Sequence, residues 1–184
     1  MNKMIFMSCV CVFYVACSSV PRINVKLEPF SRAKIASLEM KHPVSMGKVA
    51  KSLVRYERSI SEKETSPLTI YFEISFKADR NYTSMQLLEE GAQVRIDNEF
   101  WTGKMIDQKV LENKTCGGFG FTVCSTVYTI TEKAVLTKEM EKKILSAKHL
   151  MYQFKTIETV VLDVGPAQLE AIKELLSLKY ADIK

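Results

Sequence analysis

The chain has 184 residues, of which 47% are hydrophobic and 26% are charged. These values are ordinary for a globular protein and suit one domain with a substantial core. The formal net charge of +5 is too small, and its signs are too mixed along the chain, to indicate a nucleic-acid-binding protein.

The first 16 residues have the pattern of a secretory signal peptide. Lys3 supplies a positive charge at the start, and residues 4–16 form an uncharged, largely apolar run. A helix needs about 20 apolar residues to span a bilayer, so this run is short for a permanent anchor. We therefore predict a cleaved leader over residues 1–16.

The segment Val15-Ala16-Cys17-Ser18-Ser19 resembles the end of a bacterial lipoprotein signal. In that family a small residue precedes a cysteine whose thiol is diacylated before the leader is removed. The resemblance implies cleavage after Ala16, lipidation of Cys17 and a lipidated tether over residues 17–21. Ser18 after the cysteine, rather than aspartate, implies sorting to the outer membrane, where the protein would face the periplasm.

Two other interpretations of the leader stay open. Tyr14 stands where the lipoprotein family usually has leucine. The segment can also be an ordinary cleaved signal with an incidental cysteine, or an uncleaved anchor. Lipidation is the interpretation that we prefer, because leader length, charge and the small residue before Cys17 agree with it.

Strands dominate the first half of the chain after the leader. Ile23, Val25 and Leu27 alternate with polar residues and predict a first strand, which Pro29 ends. Residues 31–42 predict a weaker strand whose apolar residues hold no single period. Residues 46–60 fit a helix or a strand, and we predict a strand over residues 53–60 because a turn and a strong strand follow.

Residues 68–78 give the clearest strand signal. Every second residue is apolar, namely Leu68, Ile70, Phe72, Ile74, Phe76 and Ala78. The residues between them carry polar groups, and side chains in a strand point alternately to opposite faces. We predict a long, half-buried strand of an antiparallel sheet, paired as a hairpin with residues 53–60.

The middle of the chain predicts further strands and a disulfide. Residues 92–101 read as a hairpin turned at Asp97-Asn98, residues 104–112 as extended or briefly helical, and residues 121–130 as a strand. Cys116 and Cys124 are the two cysteines that remain after the leader is removed and Cys17 is lipidated. Glycines between them permit a tight turn, so we predict a disulfide that closes this loop. The alternative is a pair of free, buried thiols.

The last third predicts a helix, a hairpin and a second helix. Thr137 is a suitable N-cap for an amphipathic helix, residues 150–154 and 160–164 alternate as a hairpin, and Gly165-Pro166 starts the last helix. We therefore predict one mainly β, α+β domain over residues 22–184. It is an antiparallel, sandwich-like structure with two short amphipathic helices near its C-terminus. This order looks like that of small bacterial lipoproteins of unknown function.

The sequence contains no recognisable catalytic constellation. His42 and His149 have no cysteine or acidic residue at metal-ligand spacing, and no serine has the context of a hydrolase nucleophile. The glycines of residues 117–120 precede a predicted strand, whereas a phosphate-binding loop precedes a helix. We predict a protein that is not an enzyme and that needs no metal or cofactor.

Two surface hypotheses remain. Residues 22–58 contain nine basic residues against three acidic ones, which is either a face for anionic lipid or glycan or an ordinary solvated surface. The aromatic residues Phe100, Trp101, Phe119 and Phe121 either line a recognition surface or belong to the core. In both cases the ordinary explanation is the one we expect.

The expected function is that of a membrane-anchored cell-envelope lipoprotein that acts as a non-enzymatic binding or structural module. Its expected partners are the membrane, through the lipid anchor, and an envelope protein or glycan, but not nucleic acid. The alternatives are an envelope enzyme with an unrecognised site and a small-molecule carrier with an apolar cavity between sheet and helices.

Overall fold

The computed structural model of the protein describes residues 21–29, 32–46, 49–77, 92–102, 104–117, 123–155 and 159–183. The predicted leader, Cys17 and most of the tether lie outside the described residues, as do Phe119 and Phe121.

The described residues form eleven strands and two α-helices, followed by a short 3-10 turn at Tyr180–Asp182. The strands are β1 Asn24–Leu27, β2 Lys34–Met40, β3 Val44–Met46, β4 Lys51–Ile60, β5 Thr69–Lys77, β6 Ala92–Ile96, β7 Glu99–Thr102, β8 Lys104–Gly117, β9 Val123–Val135, β10 Leu150–Lys155 and β11 Thr159–Val164. The helices are α1 Lys138–Ser146 and α2 Pro166–Ser177.

The strands make two antiparallel sheets that pack face to face. The larger sheet has the order β1-β2-β4-β5-β9-β8, and the smaller has the order β3-β11-β10-β6-β7. Every strand pairing among the described residues is antiparallel. This confirms the predicted mainly β, sandwich-like fold with two short helices near the C-terminus.

Strand β5 lies in the middle of the larger sheet, between β4 and β9. Its apolar residues are buried on the face toward the smaller sheet, as the alternation predicted. The hairpin with β4 is also confirmed, since Val54 lies opposite Phe72 and Tyr56 opposite Ile70. The helical alternative for residues 53–60 was wrong, because paired strands on both sides satisfy the backbone of β4.

Aromatic rings join the two sheets. The Phe72 ring centroid lies 5.0 Å from those of both Tyr152 and Phe154 on β10, in edge-to-face arrangements. Each buried aromatic side chain contributes on the order of 1.5–3 kcal/mol through burial, with a further ~0.5–1.5 kcal/mol for a well-oriented pair. A single cluster of buried side chains from both sheets and both helices therefore forms the core.

Both helices begin where the sequence predicts. The Thr137 hydroxyl accepts a hydrogen bond from the Met140 N–H at 3.2 Å and caps α1. Pro166 is the first residue of α2, and the Gln168 side chain accepts from the Gly165 N–H at 3.0 Å. The predicted apolar faces of both helices are buried, with Met140 and Ile144 in α1 and Leu169 and Ile172 in α2.

Two segments differ from their sequence patterns. In β2 the buried residues are Ala36, Leu38 and Met40, so the strand does hold a period of two, and the small side chain of Ala36 concealed it. Residues 104–112 are not helical, since they belong to the 14-residue strand β8, which pairs with β9 over almost its full length. An edge strand with both faces exposed needs no apolar alternation, so the pattern carried little signal.

Among the described residues, the β8–β9 hairpin extends past the pairing of β9 with β5. Pairing of β9 with β5 ends at Val127, whereas its pairing with β8 continues to Val123. We call this two-stranded extension, Asn113–Gly117 with Val123–Val127, the arm. The disulfide between Cys116 and Cys124 crosses it near its end, which confirms the predicted pairing.

Candidate functional site

A groove of about 420 Å³ lies on the outer face of the larger sheet. This face points away from the smaller sheet, and its residues alternate with those of the core. The charged residues in the groove lining include Glu39, Arg55, Glu73, Asp107, Lys109 and Lys133. We call it the outer groove.

The centre of the outer groove is one row of side chains that crosses four strands. Glu39 of β2 lies opposite Arg55 of β4, Arg55 lies opposite Tyr71 of β5, and Tyr71 lies opposite Lys133 of β9. Directly opposed residues in a sheet have Cβ atoms about 4.5–5.5 Å apart, so their side chains interact. The row thus places one aromatic ring between two cations, next to a carboxylate.

Both cations contact the Tyr71 ring. The Arg55 Cζ lies 4.4 Å from the ring centroid, and the Lys133 Nζ lies 5.6 Å from it. Each cation–π contact at a partly exposed site contributes about 0.5–1 kcal/mol. Because the sheet backbone fixes the positions of the three Cβ atoms, the aromatic ring and its two positive groups start close together on this face.

Carboxylates lie close to the basic side chains on this face. Lys51 Nζ lies 2.7 Å from Glu73 Oε1, and Arg55 Nε lies 3.8 Å from Glu57 Oε2. On the far side, Asp107 lies at a shift of register between Ile106 and Lys109 and has a φ of 56°. Such a bulge re-aims a side chain, and here Asp107 lines the groove. The result is a polar surface with both signs of charge, suited to a peptide or a sugar chain.

The interior contains a separate polar cluster that links three elements. His42, between β2 and β3, has its Nδ1 2.9 Å from Gln168 Oε1 on α2. Its Nε2 lies 2.8 Å from the Tyr56 hydroxyl, which in turn lies 2.9 Å from the Tyr152 hydroxyl of the smaller sheet. The Ser52 hydroxyl donates to the His42 carbonyl at 2.6 Å. These bonds tie the larger sheet to the smaller sheet and to α2.

The protonation state of His42 follows from its partners. Gln168 Nε2 donates to the Lys41 carbonyl and Gln168 Oε1 accepts from Gly165, so the amide orientation is set. An amide oxygen only accepts, hence His42 Nδ1 carries a proton. Burial lowers the pKa of His42 to about 4, so the ring is neutral at pH 7. With 3% of its surface exposed, His42 is buried in the interior.

His149 has a different environment. It is exposed at the start of β10, and its backbone N–H donates to Asp97 Oδ1 at 2.8 Å. The same carboxylate oxygen accepts from the Lys148 N–H at 2.9 Å. The two backbone hydrogen bonds hold the pKa of Asp97 below its ordinary value. Asp97 therefore joins the β6–β7 turn to the start of β10.

The structure separates the residues of both surface hypotheses. Phe100 is 60% exposed beside Arg95, whose Cζ lies 5.5 Å from its ring centroid, while its neighbour Trp101 packs against the core. In the basic segment, Arg55 lies in the outer groove but Arg58 points into the core. Strand alternation therefore places Phe100 and Trp101 on different faces, and it does the same for Arg55 and Arg58, while Lys48 lies outside the described residues.

Within the described part of the chain there is no cluster of three or more His, Cys, Asp or Glu residues able to hold a metal ion. The same residues include no helix long and apolar enough to cross a membrane. No protein family model, curated protein or solved structure matches this chain.

The outer groove was not predicted from the sequence. Tyr71 belongs to the polar face that the alternation predicts for β5. Arg55 precedes it by 16 residues and Lys133 follows it by 62 residues, so the sequence does not show that the three lie side by side. The available signal was a tyrosine among the polar positions of a strong strand. Its neighbours become apparent only when the strand order is known.

Proposed function

We propose that this protein is a lipid-anchored binding module of the bacterial cell envelope, which holds an envelope protein or glycan in the outer groove. The observation that carries the proposal is the row Arg55-Tyr71-Lys133, an aromatic ring held between two cations on an open sheet face. The leader and Cys17 support the anchor, and the disulfide supports an oxidising compartment.

The chemistry of the outer groove fits non-covalent recognition. A tyrosine ring offers apolar contact area and a hydroxyl, while Arg55 and Lys133 supply hydrogen-bond donors. Glu39, Glu73 and Asp107 supply acceptors around them. A polymer with alternating polar and apolar groups, such as an extended peptide or a glycan strand, meets a complementary group at each step.

The interior argues for this function over the two alternatives. A general base must reach the proton that it removes, whereas the buried His42 ring contacts Tyr56 and Gln168. A carrier of the predicted kind needs a cavity between sheet and helices, whereas Met140 and Ile144 of α1 and Leu169 and Ile172 of α2 are buried in the same core cluster as the sheet residues. The groups of the outer groove, by contrast, lie on an outer face that a partner can reach.

Site-specific photo-crosslinking in intact membranes tests the proposal. A photoreactive amino acid at Lys109, on the rim of the outer groove, should capture an envelope component, whereas the same group at Glu174, exposed on α2, should not. The double variant Arg55→Ala, Tyr71→Ala should reduce the Lys109 adduct about tenfold, because it removes the pre-arranged cation and ring. Equal adducts at Lys109 and Glu174, or an adduct that survives the double variant, would contradict the proposal.

A further inference from the structure

The free edge of β8 is the second surface feature, distinct from the outer groove. Among the strands that the structure describes, β8 is the last of the larger sheet, and the eight consecutive residues Lys109–Cys116 are all exposed. Their pairing with β9 is regular, since the register shift lies before Lys109. An exposed edge strand presents unpaired backbone groups to another strand, and a bulge of the kind at Asp107 limits where that strand can pair.

The disulfide shows which backbone groups face this edge. Cys116 and Cys124 lie directly opposite each other, with Cα atoms 4.0 Å apart. This narrow separation is typical of a non-hydrogen-bonded pair, since hydrogen-bonded antiparallel pairs are about 5.5 Å apart. The N–H and C=O of Cys116 therefore point away from β9. At two-residue steps the same holds for Lys114, Glu112 and Val110.

The arm is also held rigid. A two-stranded ribbon is marginally stable by itself, and the disulfide near its end constrains the arm covalently. The backbone of β8 thus has the geometry of a strand before a second strand pairs with its edge. An incoming strand does not have to order them.

We propose that β8 pairs antiparallel with β8 of a second copy of this chain, about a two-fold axis through Asn113. In this register Glu112 lies opposite Lys114 of the second copy, and Lys114 lies opposite its Glu112. Val110 lies opposite Cys116 of the second copy, and the reverse. Each of these pairs consists of residues whose backbone groups face the edge, so each exchanges two backbone hydrogen bonds. The two larger sheets become one continuous sheet.

Charge selects this register over its neighbours. With a two-fold axis perpendicular to the sheet, opposed residues have their side chains on the same face only if the axis passes through a residue position. An axis midway between two residues would oppose side chains on different faces. An axis through Glu112 would place this carboxylate opposite its own copy, and an axis through Lys114 would oppose two ammonium groups. An axis through Leu111 would place Lys114 and Cys116 opposite residues of the second copy that lie in or before its register shift near Asp107, where pairing is irregular. The axis through Asn113 makes two ion pairs and uses the full regular segment.

Cysteine crosslinking of the full chain in its membrane tests the register. Asn113→Cys places two thiols on the axis, in a non-hydrogen-bonded pair with Cα atoms about 4.5 Å apart, which a disulfide can bridge. The matched control is Leu111→Cys, whose counterpart lies four residues along the strand, at about 13 Å. Mild oxidation should give a covalent dimer of twice the chain mass with Asn113→Cys and only monomer with Leu111→Cys.

Charge exchange in the Asn113→Cys background tests the pairing itself. Glu112→Lys or Lys114→Glu alone places like charges opposite each other twice, which should lower the dimer yield about tenfold. The double exchange Glu112→Lys, Lys114→Glu restores both ion pairs and should restore the yield. These positions are exposed and far from the core, so folding is preserved, as the intact Cys116–Cys124 bridge in each variant can verify.

Three results would overturn the proposal. The first is that Asn113→Cys stays monomeric, and the second is that Leu111→Cys crosslinks equally well. The third is an adduct whose mass differs from twice that of the chain, which would identify a foreign strand at this edge. Because Lys109 alone is shared with the outer groove, failure here leaves the proposed binding function intact.

Discussion

At the scale of single residues, polar side chains in the interior determine how the two sheets meet. Tyr56 is the middle member of the chain His42, Tyr56 and Tyr152, and it is fully buried. Burial raises the pKa of both tyrosines, so their hydroxyls stay protonated and available for hydrogen bonds. A buried hydroxyl without a partner would cost about 1–3 kcal/mol. The cluster therefore favours the one alignment of sheets and α2 in which all its members are paired.

His42 predicts a loss of stability in mild acid. Its pKa is about 4 in the folded protein, below the ordinary 6.5, so the unfolded chain binds more protons between these values. The free energy of unfolding should therefore fall as the pH decreases from about 6.5 to 4, by up to about 3 kcal/mol. Urea denaturation across this range should show the fall in the wild type and in the exposed-site control His149→Gln.

The variant His42→Gln isolates this effect. It carries no titrating group at this position, so the part of the pH dependence due to His42 should be absent, although the variant is less stable at pH 7. The carboxylates titrate in the same way in both proteins. Their contribution therefore cancels when the free energy of unfolding of His42→Gln is subtracted from that of the wild type. If the wild type and His42→Gln lost stability in parallel between pH 6.5 and 4, the assignment to His42 would be wrong.

At the scale of secondary-structure elements, Arg58 joins β4 to both helices. Its Nη1 donates to the Leu176 carbonyl near the end of α2 at 2.7 Å, and its Nη2 donates to the Ser66 carbonyl at 3.1 Å. Nη2 also lies 3.7 Å from Glu141 of α1, whose other carboxylate oxygen accepts from the Leu68 N–H at 2.6 Å. A cation at a helix C-terminus is favourable, so Arg58 stabilises the position of α2.

Removing Arg58 should be strongly destabilising. Arg58 is 6% exposed, and Arg58→Ala would leave the Glu141 carboxylate without a cation and the Leu176 carbonyl without the Arg58 donor. Breaking a buried ion pair in this way costs about 3–5 kcal/mol. The control Arg55→Ala, three residues earlier but on the outer face, should cost less than about 1 kcal/mol. Denaturant midpoints of the two variants decide this, and equal losses would contradict the role assigned to Arg58.

The disulfide stabilises one element, the arm. Thiol labelling of the denatured, unreduced protein should find neither Cys116 nor Cys124 free. The variant Cys116→Ser, Cys124→Ser should lose up to about 2–3 kcal/mol of stability, since a loop of this length is no longer closed in the unfolded chain. Hydrogen exchange should increase in residues 113–117 and 123–127, with little change in β5. An increase spread over the whole larger sheet would mean that the bridge supports the core instead.

At the scale of the whole molecule, the proposed anchor and the proposed binding surface are separate parts of the chain. Cys17 precedes the first described strand, whereas the outer groove is built from β2, β4, β5, β8 and β9. The mature protein isolated from membranes should therefore have the mass of residues 17–184 plus acyl chains. A mass equal to the full chain, or cleavage elsewhere without acyl groups, would contradict lipidation at Cys17.

Loss of the lipid anchor should affect the phenotype of the gene more than loss of the two histidines. Cys17→Ala should release the protein from the membrane and abolish the phenotype of the gene, because the binding module no longer reaches its partner there. The double variant His42→Gln, His149→Gln, expressed at a temperature where it stays folded, should keep the phenotype. The opposite result, essential histidines and a dispensable anchor, would support the enzyme alternative.

Local patterns determined most of the elements from the sequence alone. Alternation of apolar and polar residues marked β5, β10 and β11, and the cap at Thr137 and the proline at Pro166 marked the helix starts. These signals are local because the pleat and the helix repeat act over a few residues. The cysteine count and the glycines between Cys116 and Cys124 were likewise enough to predict the disulfide.

Only the tertiary structure decided which elements lie side by side. Alternation states which face of a strand is buried, but it carries no information about the neighbouring strand, which is set by how the whole core packs. β9 lies beside β5, and β6 lies beside β10, across long stretches of chain. The row Arg55-Tyr71-Lys133, the partners of His42 and the free edge of β8 all follow from that order. For this protein the elements were therefore determined by local periodicity, and the surfaces proposed to bind were determined by long-range pairing.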